Sequence, residues 1–464
     1  MSDEIVTSRV LRGAKLGKLV AGQAVRGAGV TLSVVRAGEE ERTARTERAL
    51  AAAAEDIVTV LGSMKGLAMK AGQLLSMFDP LAVLGRTTIP PEQRERFQRK
   101  LAELYDRAPQ VSFERMRAVI ETDYGRPLGE IFTDFEAEPI GAASIGQVYR
   151  ARLTDGRTVA VKVQYPGIDV AVRADVKNLA LLMRMMRVLT PVFDDHVLFR
   201  ELSTHFVAEV DYRIEAGNHR IIADMYRGHP FIRIPEVISE LCTTHVLVTE
   251  FAEGAAFDEI AAMPAPVRDR VGEIVMRFYA GSMLRFRRFT GDPHPGNIVL
   301  APDGTVVFLD FGLFKHMDDT AVEFEMDCVR AAAEYRAADL RAHLVSYGVL
   351  DAHAPATADE CLRMFHEISG WLLTDADIRI PADAAPTAVF TWADPRRDYF
   401  DHWRDQRAPA EHAFARRVEY GTLALLGKLH ASANWHRIAR EWIYHADPHT
   451  ELGLLEQQWL TEHA

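Results

Sequence analysis

Cysteine is scarce: the chain of 464 residues has three, Cys242, Cys328 and Cys361, far apart and with no C-x-x-C spacing. Neither a disulfide framework nor a thiolate zinc site can be built from them, and a reducing compartment suits such a chain. Long apolar runs are missing as well. The greasiest stretch, Asn178 to Phe193, is interrupted by Arg184 and Arg187 and falls short of the roughly 18 apolar residues a spanning helix needs. A basic excess is also absent, since 54 Lys and Arg face 66 Asp and Glu for a net charge of −12. That balance excludes a general binder of polyanions, so no nucleic-acid partner is expected. The N-terminus lacks a secretory pattern, because Arg9, Arg12, Lys15 and Lys18 are scattered among its apolar residues. A cytoplasmic protein is expected, and there are no internal repeats.

What is present is an ordinary globular composition, 48% hydrophobic and 26% charged, with enough chain for two or three cores. Residues 5–36 carry apolar side chains at helical spacing and residues 39–48 form a charged tether. From 49 to 125 the pattern is helical and punctuated by Pro90, Pro91 and Pro109. The period then drops to two: Ile145 to Leu153, a Thr154-Asp155-Gly156-Arg157 turn and Thr158 to Val163 spell a hairpin. Helical spacing returns over 168–226, broken near Pro191, followed by short strands at Ile232–Ile234 and His245–Phe251. A helix over Val267–Arg288 leads to a second hairpin, Ile298–Leu300 and Thr305–Leu309, around Pro302-Asp303-Gly304, after which the chain is helical. Residues 375–410, rich in Asp, Pro and Ala, read as an irregular insertion. A small sheet followed by helices predicts an α+β protein of two lobes with a cleft. The divisions expected are 1–48, 49–125, an N-lobe over 126–254 and a C-lobe over 255–464.

Lys162, in Val159-Ala-Val-Lys162, stands on the second strand of the first hairpin, and alone it is an ordinary solvated strand residue. Its meaning changes with Asp292-Pro-His-Pro-Gly-Asn297, the second hairpin and Asp310-Phe311-Gly312, which follow in that order. In phosphoryl transfer an aspartate such as Asp292 orients the nucleophile, Asn297 and Asp310 hold magnesium, and Lys162 pairs with ATP phosphates. The carbonyl of Glu250 and the N–H of Ala252, at a strand end, would meet the adenine edge. A Gly-rich phosphate loop is missing, and Gly141-Ala142-Ala143-Ser144 stands in its place, with alanine methyl groups that stiffen the backbone. No A-P-E follows Asp310-Phe-Gly, and Thr320 is the sole hydroxyl residue between Gly312 and Arg330, so a phosphorylated activation loop has no material.

These residues resemble those of the UbiB-type atypical kinases, or aarF-domain-containing kinases, tied to coenzyme Q biosynthesis. The resemblance covers about residues 50–350 and rests on Lys70-Ala-Gly72-Gln73 (the family's K-x-G-Q), Ala142-Ala143-Ser144, Glu209-Val-Asp211 with Glu215, and Asp292 to Asn297. Gly228-His-Pro-Phe and Pro235 to Cys242 point to the coenzyme Q branch. The resemblance implies a protein-kinase-like fold whose helical N-terminal extension covers the cleft, Lys70 and Gln73 meeting Glu209 and Asp211 where a peptide would otherwise enter. It implies ATP and Mg2+ as cofactors, Glu215 as the partner of Lys162, and activity as an ATPase or lipid-linked regulator. Two positions depart from the family: Gly141 stands where alanine is frequent, and Thr290 where many members carry the histidine that struts the catalytic loop.

Four other readings bear on function. A small-molecule kinase shares D-x-x-x-x-N, but K-x-G-Q argues against it, and a nucleotide-sensing scaffold for quinone enzymes is the non-enzymatic alternative. His445 and His449 lie at metal-ligand spacing, yet Leu452 stands where the repeat of the loop needs Asn and no third ligand is evident. On a helical wheel Val6, Val10, Gly13, Ala14, Gly17, Val20, Ala21 and Ala24 share one side while Arg12, Lys15, Lys18 and Arg26 take the other. Such a helix suits an anionic inner membrane surface presenting lipid or a quinone precursor, or, through Gly13-x-x-x-Gly17, packing against the body of the protein or a second copy in a homodimer.

Overall fold

The computed structural model describes residues 111–143, 145–173, 210–393, 397, 399–403 and 409–463. The 1–48 helix, Lys70, Gln73, Ser144 and Glu209 therefore lie outside the described residues. The chain divides into two compact units, the described residues up to Tyr212 with Leu241–Val248, and Arg213–Glu240 with Thr249 onward.

In the first unit, α1 (Phe113–Tyr124) ends on Gly125 in the left-handed region, φ 64°. Then come β1 (Phe132–Phe135), β2 (Gly141–Ala143), β3 (Gly146–Leu153) and β4 (Thr158–Gln164). The expected hairpin is β3 and β4, antiparallel from Gly146↔Gln164 to Arg152↔Thr158. Its turn works as Asp-Gly turns do: Gly156 takes φ 90°, and Asp155 Oδ1 accepts from Arg157 N at 3.0 Å. Strand alternation sends Val159, Val161 and Val163 into a core with Met116, Ile120 and Tyr149, all fully buried, and leaves Lys162 on the opposite face. After α2 (Tyr212–Met225) and β5 (Ile232–Arg233), the chain returns as β6 (Val246–Glu250), giving the sheet order β1-β3-β4-β6 with β2 beside β3. Both β1 and β2 had been hidden in the sequence.

The second unit has the larger core. Here β7 (Ala255–Ala256), α3 (Phe257–Ala261) and α4 (Ala265–Gly281) precede a π-helical turn at Ser282–Phe286. The helix expected to reach Arg288 stops because Arg287 turns left-handed, φ 59°, and β8 (Arg288–Thr290) begins. The second hairpin is β9 (Ile298–Leu300) with β10 (Val306–Phe308), in a sheet ordered β5-β10-β9-β7. It docks on α4 through Phe308, whose ring stacks on Phe278 with centroids 3.7 Å apart. Next, β11 (Phe314–His316) pairs with β8. The helices that follow are α5 (Asp319–Ala333), α6 (Ala337–Ser346) and α7 (Ala358–Leu373).

The insertion read as irregular is ordered in its described part. It holds β12 (Ile378–Arg379), α8 (Ala384–Ala393) and α9 (Phe400–Trp403). Pro386 falls in the first turn of α8, where its missing N–H costs nothing, and Ala385 and Ala388 are buried. The chain closes with α10 (Ala410–Leu429), β13 (Ser432–Ala433, paired with β12), α11 (Trp435–Ile443) and α12 (Glu451–Glu462).

Candidate functional site

Residues of the second unit converge on Asp310-Phe311-Gly312. Phe311 is fully buried. From α2, Asn218 Nδ2 donates to Phe311 O at 3.2 Å and the His219 ring meets the Phe311 ring edge-on at 4.6 Å. One turn earlier stands Glu215, only 5% exposed, and a Cβ built on Gly312 would lie 3.6 Å from its Oε2. A carboxylate is thus brought beside the Asp-Phe-Gly turn by a helix whose next turn grips Phe311. Asp310 Oδ1 accepts from Gly312 N at 2.9 Å, which fixes the carboxylate in a tight local turn. Glu215 is thus a buried carboxylate of α2, and Asp211 lies just before that helix rather than on it.

The Asp292–Asn297 loop leads out of β8 and into β9. Leu309 N donates to Asn297 O at 3.1 Å, and Asn297 Nδ2 reaches Asp292 O at 3.4 Å, tying the two ends of the motif together. Thr290 Oγ1 makes a long 3.4 Å contact with Asp310 O. Beneath the loop, Tyr279 of α4 is buried. Burial, followed by the Asp292 and Asp310 charges, pushes its phenol well above the usual range, so it stays neutral while the His294 N–H hydrogen-bonds to it. Asp292 is itself held from a distant element: Arg417 of α10 donates through Nη2 to Asp292 Oδ1 at 2.8 Å and through Nε to Gly291 O at 2.6 Å. Nothing local in the sequence signals Arg417. Asn218 and His219, at i+3 and i+4 from Glu215, were in principle legible as the same helix face.

In the first unit Lys162 lies opposite Val148, with its ammonium 5.1 Å from the centre of the Tyr212 ring. Gly141, Ala142 and Ala143 form an antiparallel arm, Gly141↔Val148 to Ala143↔Gly146, and Gly141 and Ala142 are exposed. The alanine-rich segment is therefore strand where described. Glu250 ends β6 with its N–H donated to Glu236 O at 2.8 Å, and Ala252 follows outside any strand.

Among the described residues no group of three or more His, Cys, Asp and Glu is placed to hold a metal ion. His445 and His449 lie in the non-helical link between α11 and α12, so the one-face spacing of a helix does not apply to them. The oxygen donors of Asn297 and Asp310 nevertheless fit magnesium, a hard cation that takes one or two protein oxygens and completes its shell with phosphate and water.

Sheet, helix and loop of this kind define a protein-kinase-like fold. Residues 103–343 match the ABC1 atypical kinase-like domain, and the chain belongs to that family. It is 31% identical over 333 residues to the atypical kinase COQ8B, mitochondrial, of Rattus norvegicus, covering 71% of this chain and 61% of that protein. It is 32% identical over 307 residues to AarF domain-containing protein kinase 1 of Mus musculus, covering 64% and 55%. A third relative, ACTIVITY OF BC1 COMPLEX KINASE 8, chloroplastic, of Arabidopsis thaliana, is 30% identical over 268 residues, 56% of this chain and 35% of that one. The match thus spans less than two thirds of each of these relatives. Among solved structures, Rv3197 of Mycobacterium tuberculosis in complex with erythromycin superposes with a TM-score of 0.62 at 29% identity, covering 88% of this chain and 98% of that one. No helix among the described residues is long and apolar enough to cross a membrane.

Proposed function

We propose that the protein binds Mg-ATP and hydrolyses it, or passes its terminal phosphoryl group to a non-peptide acceptor, in support of isoprenoid quinone biosynthesis or lipid handling at an anionic membrane surface. Lys162 takes the phosphates, Glu215 backs the Asp-Phe-Gly turn, and the backbone at Glu250 and Ala252 receives the adenine. Asn297 and Asp310 hold magnesium, which neutralises phosphate charge when bound. Asp292 accepts the proton of the attacking water or hydroxyl as its oxygen bonds to the terminal phosphorus and the bond to ADP breaks.

The observation that carries a non-peptide acceptor is the brevity of the chain after Gly312: β11 begins at Phe314 and α5 at Asp319, capped by Asp318 accepting from Ala321 N at 2.8 Å. A peptide-docking loop has no residues to be made from there. The similarity to COQ8B supports the quinone connection. The test is phosphate release from Mg-ATP by the full chain, with and without anionic vesicles and a phenolic quinone precursor, beside generic peptide substrates. Release stimulated by vesicles or phenol, without peptide labelling, is expected. Robust peptide phosphorylation would overturn the acceptor class, and binding without any turnover would favour the nucleotide-sensing scaffold.

A further inference from the structure

A catalytic loop that lacks its usual histidine strut must be held by something else, and Thr290 offers only its 3.4 Å contact to Asp310 O. The loop is gripped from α10 at three successive residues. Arg417 Nε takes the carbonyl of Gly291 at 2.6 Å, and its Nη2 takes Asp292 Oδ1 at 2.8 Å. Both side chains are mostly buried, at 9% and 13% exposure, so the pair is shielded from competing water. One turn along the same helix face, Gly421 lies so close to Pro293 that a Cβ would fall 2.9 Å from its Cγ. The helix is pinned on its other sides, Arg416 to Glu325 at 2.5 Å and Glu419 to Ser369 Oγ at 2.6 Å. A fork donor and a missing side chain, four residues apart, therefore form a seat shaped to Gly291-Asp292-Pro293.

We propose that Arg417 is the positioning residue of the catalytic loop, fixing Asp292 by one carboxylate oxygen so that the other meets the nucleophile, and that Gly421 is the space the loop needs to sit there. The inference rests on the reading of Asp292 given above. An arginine is suited to the task because its rigid fork sets both the carbonyl and the carboxylate at once, whereas a lysine supplies a single point charge. Pairing Asp292 at one oxygen also explains how the loop keeps its place although the chain that holds it arrives 125 residues later.

The experiment compares full-length unmodified protein with Arg417→Ala, Arg417→Lys and Gly421→Ala. It uses steady-state Mg-ATP hydrolysis and hydrogen exchange of the amides in 290–297 against those of β3 and β4. Arg417→Ala is expected to lower kcat about 100-fold, the scale of a misplacement near 1 Å, with KM for ATP unchanged. Arg417→Lys should recover part of it, and Gly421→Ala, which keeps the arginine but displaces Pro293, should also lower kcat alone. Exchange in 290–297 should rise in Arg417→Ala while β3 and β4 stay protected. Unchanged kcat with unchanged loop exchange in Arg417→Ala would overturn the proposal, as would equal losses in the Ala and Lys variants accompanied by exchange rising everywhere. If the unmodified protein hydrolyses no ATP, hydrolysis falls while the exchange comparison still decides whether Arg417 holds the loop.

Discussion

Gly146 opens β3 opposite Gln164 of β4, and a Cβ there would fall 2.1 Å from Val163 O and 3.1 Å from the Tyr212 hydroxyl. The nearer obstacle is backbone and cannot swing aside as a side-chain end can. Gly146→Ala must part the strand that carries Lys162 from its neighbour, and a loss of about 2 to 4 kcal/mol in urea unfolding is expected. Stability equal to that of the unmodified protein would mean that the strands are not so closely apposed. At this scale the sequence singles out Lys162, Asp292, Asn297 and Asp310 as candidates by their order alone. It was silent on Arg417, because an Arg416-Arg417 pair on a long helix has the pattern of an ordinary charged surface.

Charged side chains also lock elements together. Arg277 of α4 has no exposed side-chain surface and meets Glu273 at 2.8 Å, Glu441 of α11 at 2.7 Å and Glu456 of α12 at 2.9 Å. Burial pushes the Glu456 carboxyl upward, but the His229 ring and the Arg285 and Arg277 guanidiniums outweigh it and hold the group at about 2. A carboxyl held below its unfolded value of about 4.5 contributes stability that is complete above that pH and lost as pH falls toward 2. Thermal melts of Glu456→Gln should accordingly lie below those of the unmodified protein at pH 7 and converge with them between pH 4.5 and 2. Parallel curves through that window would remove Glu456 from the account of acid unfolding. Element by element, legibility followed local chemistry. The Asp-Gly turn gave away β3 and β4, whereas β2 is three residues of Gly and Ala whose strand state comes from pairing with β3. The proline of α8 obscured a helix because its tolerance depends on falling in the first turn.

For the whole molecule, the family and kinase-like fold were readable from motifs in order, since the pieces of a phosphate site recur at separations a random chain rarely reproduces. The seat under the Asp292–Asn297 loop was not, because it is made by packing between residues more than a hundred positions apart, and no spacing rule reaches that far. The proposed function turns on Asp310 and Asn297 holding the magnesium of a bound nucleotide. Its most direct measurement is titration calorimetry of ATP into the full chain, with magnesium and with chelator, for the unmodified protein and Asp310→Asn. A single saturable site that needs magnesium and is strongly weakened by Asp310→Asn is expected. Equal affinity in both proteins, or binding indifferent to magnesium, would contradict it.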